Sequence, residues 1–257
     1  MKLAAAELKE LLDEKYEQYN RLDFIESDPI SIPHRFSKKE DIEIAGFLAA
    51  TIAWGQRVTI LTNANKLMTL MDDAPHDFIL NAKAKDLKRF NNFVHRTFNG
   101  TDAMFFMSSL QNIYKKHGGL ENVFVSKSKD EACKEAIMNF RKVFFSIPHP
   151  ERTGKHVSNP AENSSAKRLC MYLRWMVRDD KRGVDFGIWK NSVQAKDLMC
   201  PLDVHTGNVG RKLGLLKRTQ NDWKAVTELS DNLRKLDKKD PIKYDFALFG
   251  LGVFEGF

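Results

Sequence analysis

The chain is poor in the residues that build metal centres, disulfide frameworks and membrane spans. Its 257 residues include three cysteines, Cys133, Cys170 and Cys200, none of them in C-x-x-C spacing. This pattern indicates no disulfide framework and no zinc or iron–sulfur site. No apolar run approaches the roughly 20 residues that cross a bilayer, and residues 1–14 mix lysine and glutamate, unlike a signal peptide. The sequence predicts a soluble protein of a reducing cytoplasm, with no metal, cofactor or membrane partner.

Strand signals are also scarce, whereas apolar residues follow helical spacing along nearly the whole chain. The spacing predicts helices at 4–19, 41–54, 58–71, 101–116, 120–125, 131–145, 166–178 and 204–213. The β-prone run 184–189 is isolated, and a lone strand cannot form a sheet. No internal repeat or low-complexity tract is present. The fold class that follows is all-α.

The charge balance is basic, with 41 Lys and Arg residues against 34 Asp and Glu residues and a formal net charge of +7. Such a balance favours polyanionic partners. Many proteins of this size are equally basic without a nucleic-acid role, so the net charge alone leaves both readings open. Basic residues crowd the segments 167–182 and 211–218. We expect them to form a positive rim around a cleft and to concentrate phosphate groups there.

Lys167 is a candidate nucleophile because of its place at the start of a predicted helix. A polar loop at 146–163 precedes that helix, and Ser164 and Ser165 are suited to cap it. An apolar stripe leaves Lys167, Arg174 and Arg178 over the remaining surface. The positive end of the helix dipole disfavours an ammonium group, and only a neutral amine attacks carbon. The alternative is an ordinary solvated lysine on a basic helix face.

Asp203 precedes another predicted helix and is a candidate partner for Lys167. As a cap it would accept backbone N–H groups and complete the helix dipole. A capping carboxylate is rigidly aimed and ionised, which suits a group that stabilises positive charge developing on a sugar. Capping alone is the simpler role. His205 has no second histidine or cysteine at metal-ligand spacing and is more often a packing residue.

Four segments resemble the helix-hairpin-helix (HhH-GPD) superfamily of DNA glycosylases, which includes endonuclease III and the 8-oxoguanine glycosylases. Residues 44–57, running into 63–67, resemble the early core helix that ends at a glutamine beside DNA. Residues 166–171 are similar to the second hairpin helix, and 201–205 resemble the Val-Asp-Thr-His or Val-Asp-Val-His segment. Residues 244–252 look like the late core helix. The resemblance spans roughly residues 40 to 250 and is nearest to an uncharacterised bacterial subgroup.

The resemblance implies two helical lobes with a cleft between them. A six-helix, barrel-like lobe with a degenerate hairpin would comprise 41–177, and 1–40 plus 178–257 would form the second lobe. The implied activity is excision of a damaged base, with an oxidised purine as the preferred substrate, by a monomer acting on double-stranded DNA near the nucleoid. Lys167 would attack the sugar C1′ and form a Schiff base that permits strand cleavage, and Asp203 would stabilise the cationic transition state.

The resemblance also implies DNA contacts and a base pocket. Residues expected to contact DNA are Gln56, Arg57, Asn163, Ser164, Ser165, His205, Asn208 and Arg211. Candidates to stack on an extruded base are Trp54, Trp189 and Phe254, although such aromatic residues more often lie in a core.

The chain departs from the family pattern at the hairpin and after it. Asn163 and Ser165 replace the two glycines of the usual Gly-x-Gly, and serine adopts a left-handed conformation only at a cost. The interval between Lys167 and Asp203 is longer than in typical members. An insertion at 179–194 accounts for the excess, and we expect it to cover or enter the cleft. A catalytically silent DNA-binding module and an all-α protein-interaction protein therefore stay open as alternatives.

Overall fold

Helices dominate the computed structural model, which describes residues 3–257 and confirms the predicted all-α class. The helices are α1 (Ala5–Tyr19), α2 (Asp23–Ser27), α3 (Lys39–Thr51), α4 (Arg57–Leu70), α5 (Pro75–Asn81), α6 (Ala84–Leu87), α7 (Gly100–Lys116), α8 (Leu120–Val123), α9 (Ala132–Phe144), α10 (Lys167–Val177), α11 (Val204–Lys212), α12 (Trp223–Leu236) and α13 (Tyr244–Val253). Within that range, β structure is limited to a hairpin of β1 (Val94–His95) and β2 (Phe98–Asn99).

Polar side chains cap the starts of α7, α11 and α12. Asn99 accepts hydrogen bonds from the backbone N–H groups of Thr101 and Asp102, and the Asp102 carboxylate accepts one from the Asn99 N–H, which makes a reciprocal cap for α7. Asp222 caps α12 and Asp203 caps α11 by accepting a single backbone N–H each. The predicted capping role of Asp203 is therefore confirmed.

Helix α3 forms the centre of the first group of helices. Its residues from Ile42 to Thr51 are all buried, so it has no solvent face over that length. It packs against α10 at Gly46, where an added Cβ would lie 3.0 Å from Met176 Cε and 3.3 Å from the Tyr172 ring. Helices α5, α7 and α9 surround this pair with a cluster of phenylalanines.

The second group consists of α1, α11, α12 and α13. Helix α13 packs along α1 so closely that a Cβ at Gly250 would overlap the Tyr19 ring at 2.1 Å. Residues 29–35 pack on α3 and α4. One continuous cluster of buried side chains includes residues of both groups. The division into the lobes 41–177 and 1–40 plus 178–257 stays a prediction.

The basic residues of α10 after its first turn are buried, which corrects the expectation that they lie on the surface. Arg174 donates to Asp185 at 3.2 Å and to Asp245 at 2.5 Å. Arg178 is 1% exposed and donates to Asp185, Asp180, Asp240 and the Tyr16 hydroxyl. The carboxylates neutralise both guanidinium groups and stabilise them away from water. These arginines do not contribute to a positive rim.

The segment 179–194 also differs from expectation, because none of its residues lines the cleft that contains Lys167 and Asp203. Phe186 stacks on His34 with ring centroids 4.3 Å apart, and Trp189 lies in the core. Asp180 anchors the beginning of the segment to Asn20 and Arg178. The extra residues therefore pack against the body of the protein.

No helix in residues 3–257 combines the length and apolar character needed to span a bilayer.

Candidate functional site

A cleft of about 630 Å³ lies where the starts of α10 and α11 meet α13 and the turn after α3. Its volume falls in the usual range for small-molecule sites. Most of the lining is apolar or aromatic. The aromatic and larger apolar residues are Phe24, Trp54, Ile60, Met171, Phe246, Phe249 and Val253. Charged side chains occupy a smaller part of the wall.

Lys167 and Asp203 face each other in this cleft. The Lys167 Nζ lies 3.6 Å from Asp203 Oδ2, and each side chain is 27% exposed. Asp203 Oδ1 accepts the Thr206 N–H at 3.0 Å. One carboxylate oxygen therefore fixes the start of α11, and the other faces the amine. The structure brings together the two residues that the sequence singled out, although they lie on different helix starts.

The start of α10 is built differently from the prediction that Ser164 or Ser165 caps it. The residue before the helix is Ala166, which adopts a left-handed conformation at φ 47° and makes no side-chain cap. Asn163 is also left-handed, at φ 64°, as its residue type allows. Ser165 is not left-handed. The second left-handed residue is Ala166, which therefore carries the backbone strain that a glycine would relieve. The Ser164 hydroxyl accepts the Ala166 N–H at 3.3 Å.

The loop before α10 is tied to the start of α12. The Asn163 side chain donates to Asp222 at 3.0 Å, and the Asn163 carbonyl accepts the Trp223 N–H at 3.1 Å. A further β-bridge joins Ser164 to Asp222. These contacts hold Asn163 and Ser164 at the surface beside the cleft, where their positions are set by another helix rather than by the loop itself.

Trp54, predicted as a residue of the base pocket, forms part of the cleft wall. The Arg168 guanidinium lies 4.7 Å from its ring centroid and donates to the carbonyls of Thr51 and His156. Burial lowers the pKa of Arg168 to about 10. The Trp54 ring is further held edge-on against His95. Trp54 is thus a fixed aromatic surface beside Lys167.

Two buried carboxylates in the cleft, Asp28 and Asp245, were not predicted. Burial raises the pKa of Asp245 to about 6 and also raises that of Asp28, whereas the charge of Lys167 lowers both. Asp28 precedes a short 3-10 turn, and Asp245 lies in the first turn of α13. In the sequence, Asp28 is marked only by the proline that follows it, and Asp245 only by its place in an apolar helix.

Several predicted site residues lie away from the cleft. Trp189 is 3% exposed and donates to Glu43 at 2.7 Å in the core, because that buried carboxylate needs a donor. The structure therefore places Trp189 outside the cleft. Phe254 is exposed and stacks on Tyr19 outside the cleft. Gln56 and Asn208 are exposed and do not line the cleft.

Three further residues predicted to contact DNA, His205, Arg57 and Arg211, differ in whether their side chains already bind other groups of the protein. His205 is exposed at the cleft wall. Arg57 lines the cleft but donates to the Ser27 carbonyl at 3.0 Å. Arg211 is folded onto the Arg218 carbonyl and the Asn221 side chain. Since Arg218 itself pairs with Asp222, the expected positive rim at 211–218 is weaker than its composition indicates.

The described residues contain no group of three or more His, Cys, Asp or Glu side chains arranged to hold a metal ion. A family model described as "Protein of unknown function (DUF2400)" matches residues 28–254, and the chain belongs to that family. No curated protein and no solved structure matches the chain.

Proposed function

We propose that this member of the DUF2400 family is a DNA base-excision glycosylase with an associated strand-cleaving lyase activity, built on a helix-hairpin-helix glycosylase-like scaffold. The observation that carries the proposal is the 3.6 Å approach of Lys167 Nζ to Asp203 Oδ2 inside an aromatic-walled cleft. A lysine nucleophile and a neighbouring carboxylate are what Schiff-base chemistry at a sugar carbon requires.

The first step needs a neutral amine, and Asp203 is placed to accept the proton from Lys167. The amine then attacks C1′ of the deoxyribose as the bond from C1′ to the base breaks. The base leaves with the bonding electrons and takes the proton that Asp203 holds. One proton passes from the nitrogen to the ring oxygen O4′ as the C1′–O4′ bond opens, which gives the protonated Schiff base. Asp203, ionised again, takes a proton from C2′, and the electrons of that C–H bond expel the 3′ phosphate and break the strand.

The apolar part of the cleft supports the same proposal. A base inside a duplex hides its glycosidic bond, so the enzyme must flip the nucleotide into a pocket. Trp54 and Phe249 are partly buried aromatic residues that line the cleft containing Lys167. Stacking on such side chains is worth about 1–3 kcal/mol per base.

The pair is not required for folding, which makes it a clean target for substitution. An ion pair with this exposure contributes about 0–1 kcal/mol. Asparagine caps a helix about as well as aspartate, so Asp203→Asn keeps the start of α11 while removing the charge. Lys167→Gln removes the nucleophile and retains much of the side chain's length.

The test is borohydride trapping on a duplex that contains one abasic site. The wild-type protein is expected to give a covalent protein–DNA complex, because borohydride reduces the Schiff base to a stable amine. Lys167→Gln should give no complex. Lys85→Gln, which changes an exposed lysine of α6 outside the cleft, should behave as the wild type.

The alternatives predict different results in the same assay. A silent DNA-binding module would bind duplex DNA with an affinity that falls steeply with salt, and it would give no trapped complex. A protein-interaction protein would show no salt-sensitive duplex binding. A trapped complex that survives Lys167→Gln would show that the nucleophile is wrongly assigned.

A further inference from the structure

One cation in the wall of the cleft has no carboxylate partner. Besides His205, the charged residues of the wall are the cations Arg57, Lys167, Arg168 and Arg174 and the carboxylates Asp28, Asp203 and Asp245. Lys167 lies 3.6 Å from Asp203, and Arg57 lies 3.8 Å from Asp28. Arg174 pairs with Asp245 and with Asp185. Arg168 is left over, and burial lowers its pKa to about 10 with no neighbouring charge opposing that shift.

Arg168 still has N–H groups to donate. Its Nη1 donates to the Thr51 carbonyl, and its Nη2 donates to the His156 carbonyl at 3.3 Å. A guanidinium has five N–H groups, so three of them have no acceptor among residues 3–257. The side chain is partly exposed, and its Nε is not among the buried atoms that lack a partner. The free edge of the guanidinium is therefore open to a ligand.

A second donor and a fixed aromatic ring lie beside this guanidinium. Ser158 lines the cleft together with Arg168, and the two residues also share a small side cavity with His156. The Ser158 side chain is partly exposed, and its hydroxyl has no hydrogen-bond partner in the described part of the chain. The Trp54 ring centroid lies 4.7 Å from the guanidinium carbon. Because Arg168 is already held in place, it loses little side-chain entropy when it binds a ligand.

The unmatched charge favours an anion with several acceptor oxygens. A neutral ligand would leave the guanidinium without a counter-charge, whereas a phosphate accepts hydrogen bonds from an arginine and a hydroxyl alike. In the proposed reaction, the sugar at Lys167 has a phosphate on either side. We propose that Arg168 and Ser158 hold one of these phosphates, an inference that rests on the proposed function. The contact positions the sugar for the neighbouring amine.

The experiment measures how the affinity for DNA depends on salt. The probe is a duplex with one tetrahydrofuran abasic-site analogue, which has no leaving group at C1′ and cannot form a Schiff base. Each phosphate that a cation neutralises adds about 0.9 to the steepness of log affinity against log salt. Arg168→Gln should therefore reduce that slope by about 0.9. The ratio of wild-type to variant affinity should shrink about 3.5-fold between about 50 and 200 mM salt.

Three further variants separate charge from packing. Arg168→Lys retains the charge and should keep the wild-type slope, although it binds more weakly without the arginine fork. Ser158→Ala removes a neutral donor and should lower the affinity about 2- to 10-fold at every salt concentration with the slope unchanged. Arg182→Gln is the matched control, because Arg182 also lies 4.7 Å from an aromatic ring, that of Tyr16, but pairs with Glu17 away from the cleft. It should change neither slope nor affinity.

The wild-type protein supplies a measurement that does not depend on the folding of a variant. Phenylglyoxal modifies accessible guanidinium groups, and mass spectrometry of the digested protein locates the modified arginines. Saturating duplex should slow the modification of Arg168 several-fold and leave that of Arg182 unchanged. Equal rates at Arg168 with and without DNA, or no modification of Arg168 in the free protein, would contradict the proposal.

The outcomes separate this inference from the proposed function. If the wild type binds no duplex, both fail. If it binds and is trapped by borohydride on an abasic duplex, but Arg168→Gln keeps the wild-type slope, only the phosphate contact is overturned. Arg168 then braces Trp54 and nothing more. If trapping fails while the slope falls as expected, the lyase activity fails and the contact to a DNA phosphate stands.

Discussion

The first turn of α10 and its later turns both carry basic side chains that pair with aspartates, but the pair in the first turn is partly exposed and the later pairs are buried. Lys167 begins the helix and meets Asp203 at 3.6 Å with both side chains 27% exposed. Two and three turns later, Arg174 and Arg178 are buried among Asp180, Asp185, Asp240 and Asp245. The buried arginines join the two groups of helices, whereas the half-exposed lysine is free to change partner. Stability and chemistry are thus separated along one helix.

The largest expected effect is on stability and comes from the buried end. Arg178→Ala leaves the carboxylates of Asp185 and Asp240 without their shared cation, so the free energy of unfolding should fall by about 3–5 kcal/mol. Urea denaturation measures it. Arg21→Ala, whose side chain is 63% exposed, should change the value by less than about 1 kcal/mol. Equal effects of the two changes would remove the distinction between the ends of α10.

The pH dependence of the buried end sharpens the comparison. Burial and the nearby charge of Asp203 raise the pKa of Asp245 to about 6, although the charges of Arg174 and Lys167 lower it, while the ordinary value is 3.8. The folded protein therefore holds this proton more tightly, and the stabilisation is complete below pH 4 and lost as the pH rises through 6. Relative to Asp245→Asn, the wild type should lose about 2 kcal/mol between pH 4 and pH 7. If the difference in the free energy of unfolding between the wild type and Asp245→Asn does not change with pH, the pKa of Asp245 is not raised.

Two substitutions of Asp203 should separate its role as a helix cap from its proposed role in catalysis. Asp203→Ala removes the acceptor for the Thr206 N–H and should lower the free energy of unfolding by about 1 kcal/mol, whereas Asp203→Asn should retain most of it. Both variants should be defective in borohydride trapping on an abasic duplex. If Asp203→Asn traps as well as the wild type, the carboxylate is a cap and nothing more.

The smallest expected effect on stability belongs to Lys167. Because its ion pair is half-exposed, Lys167→Gln should change the free energy of unfolding by less than about 1 kcal/mol. Thermal and urea unfolding measure this change, with Lys85→Gln as the matched control. A loss of several kcal/mol would show that Lys167 belongs to the structural network instead.

Helix positions could be predicted from the sequence because their apolar residues recur at helical spacing. The predictions at 101–116 and 131–145 agree with α7 and α9 within one or two residues. The placement of Lys167 and Asp203 at two helix starts was also accessible, since cap residues and helix onsets are local features.

The burial of charge was not accessible in the same way. Arg174 and Arg178 have helical spacing typical of a basic surface. Their partners Asp240 and Asp245 are distant in sequence, and Asp185 lies in the irregular segment after the helix. Charged residues are rarely buried unless paired, and pairing depends on the tertiary fold. The burial of Asp28 and Asp245 beside the cleft and of Trp189 on Glu43 could not be predicted for the same reason.

The most direct measurement is peptide mapping of the protein–DNA complex trapped by borohydride on an abasic duplex. After digestion of protein and DNA, mass spectrometry locates the lysine that carries the reduced sugar. The modified residue should be Lys167, with no adduct formed by Lys167→Gln. A sugar found on another lysine or on the N-terminal amine, or an adduct that Lys167→Gln forms at the wild-type rate, would contradict the account.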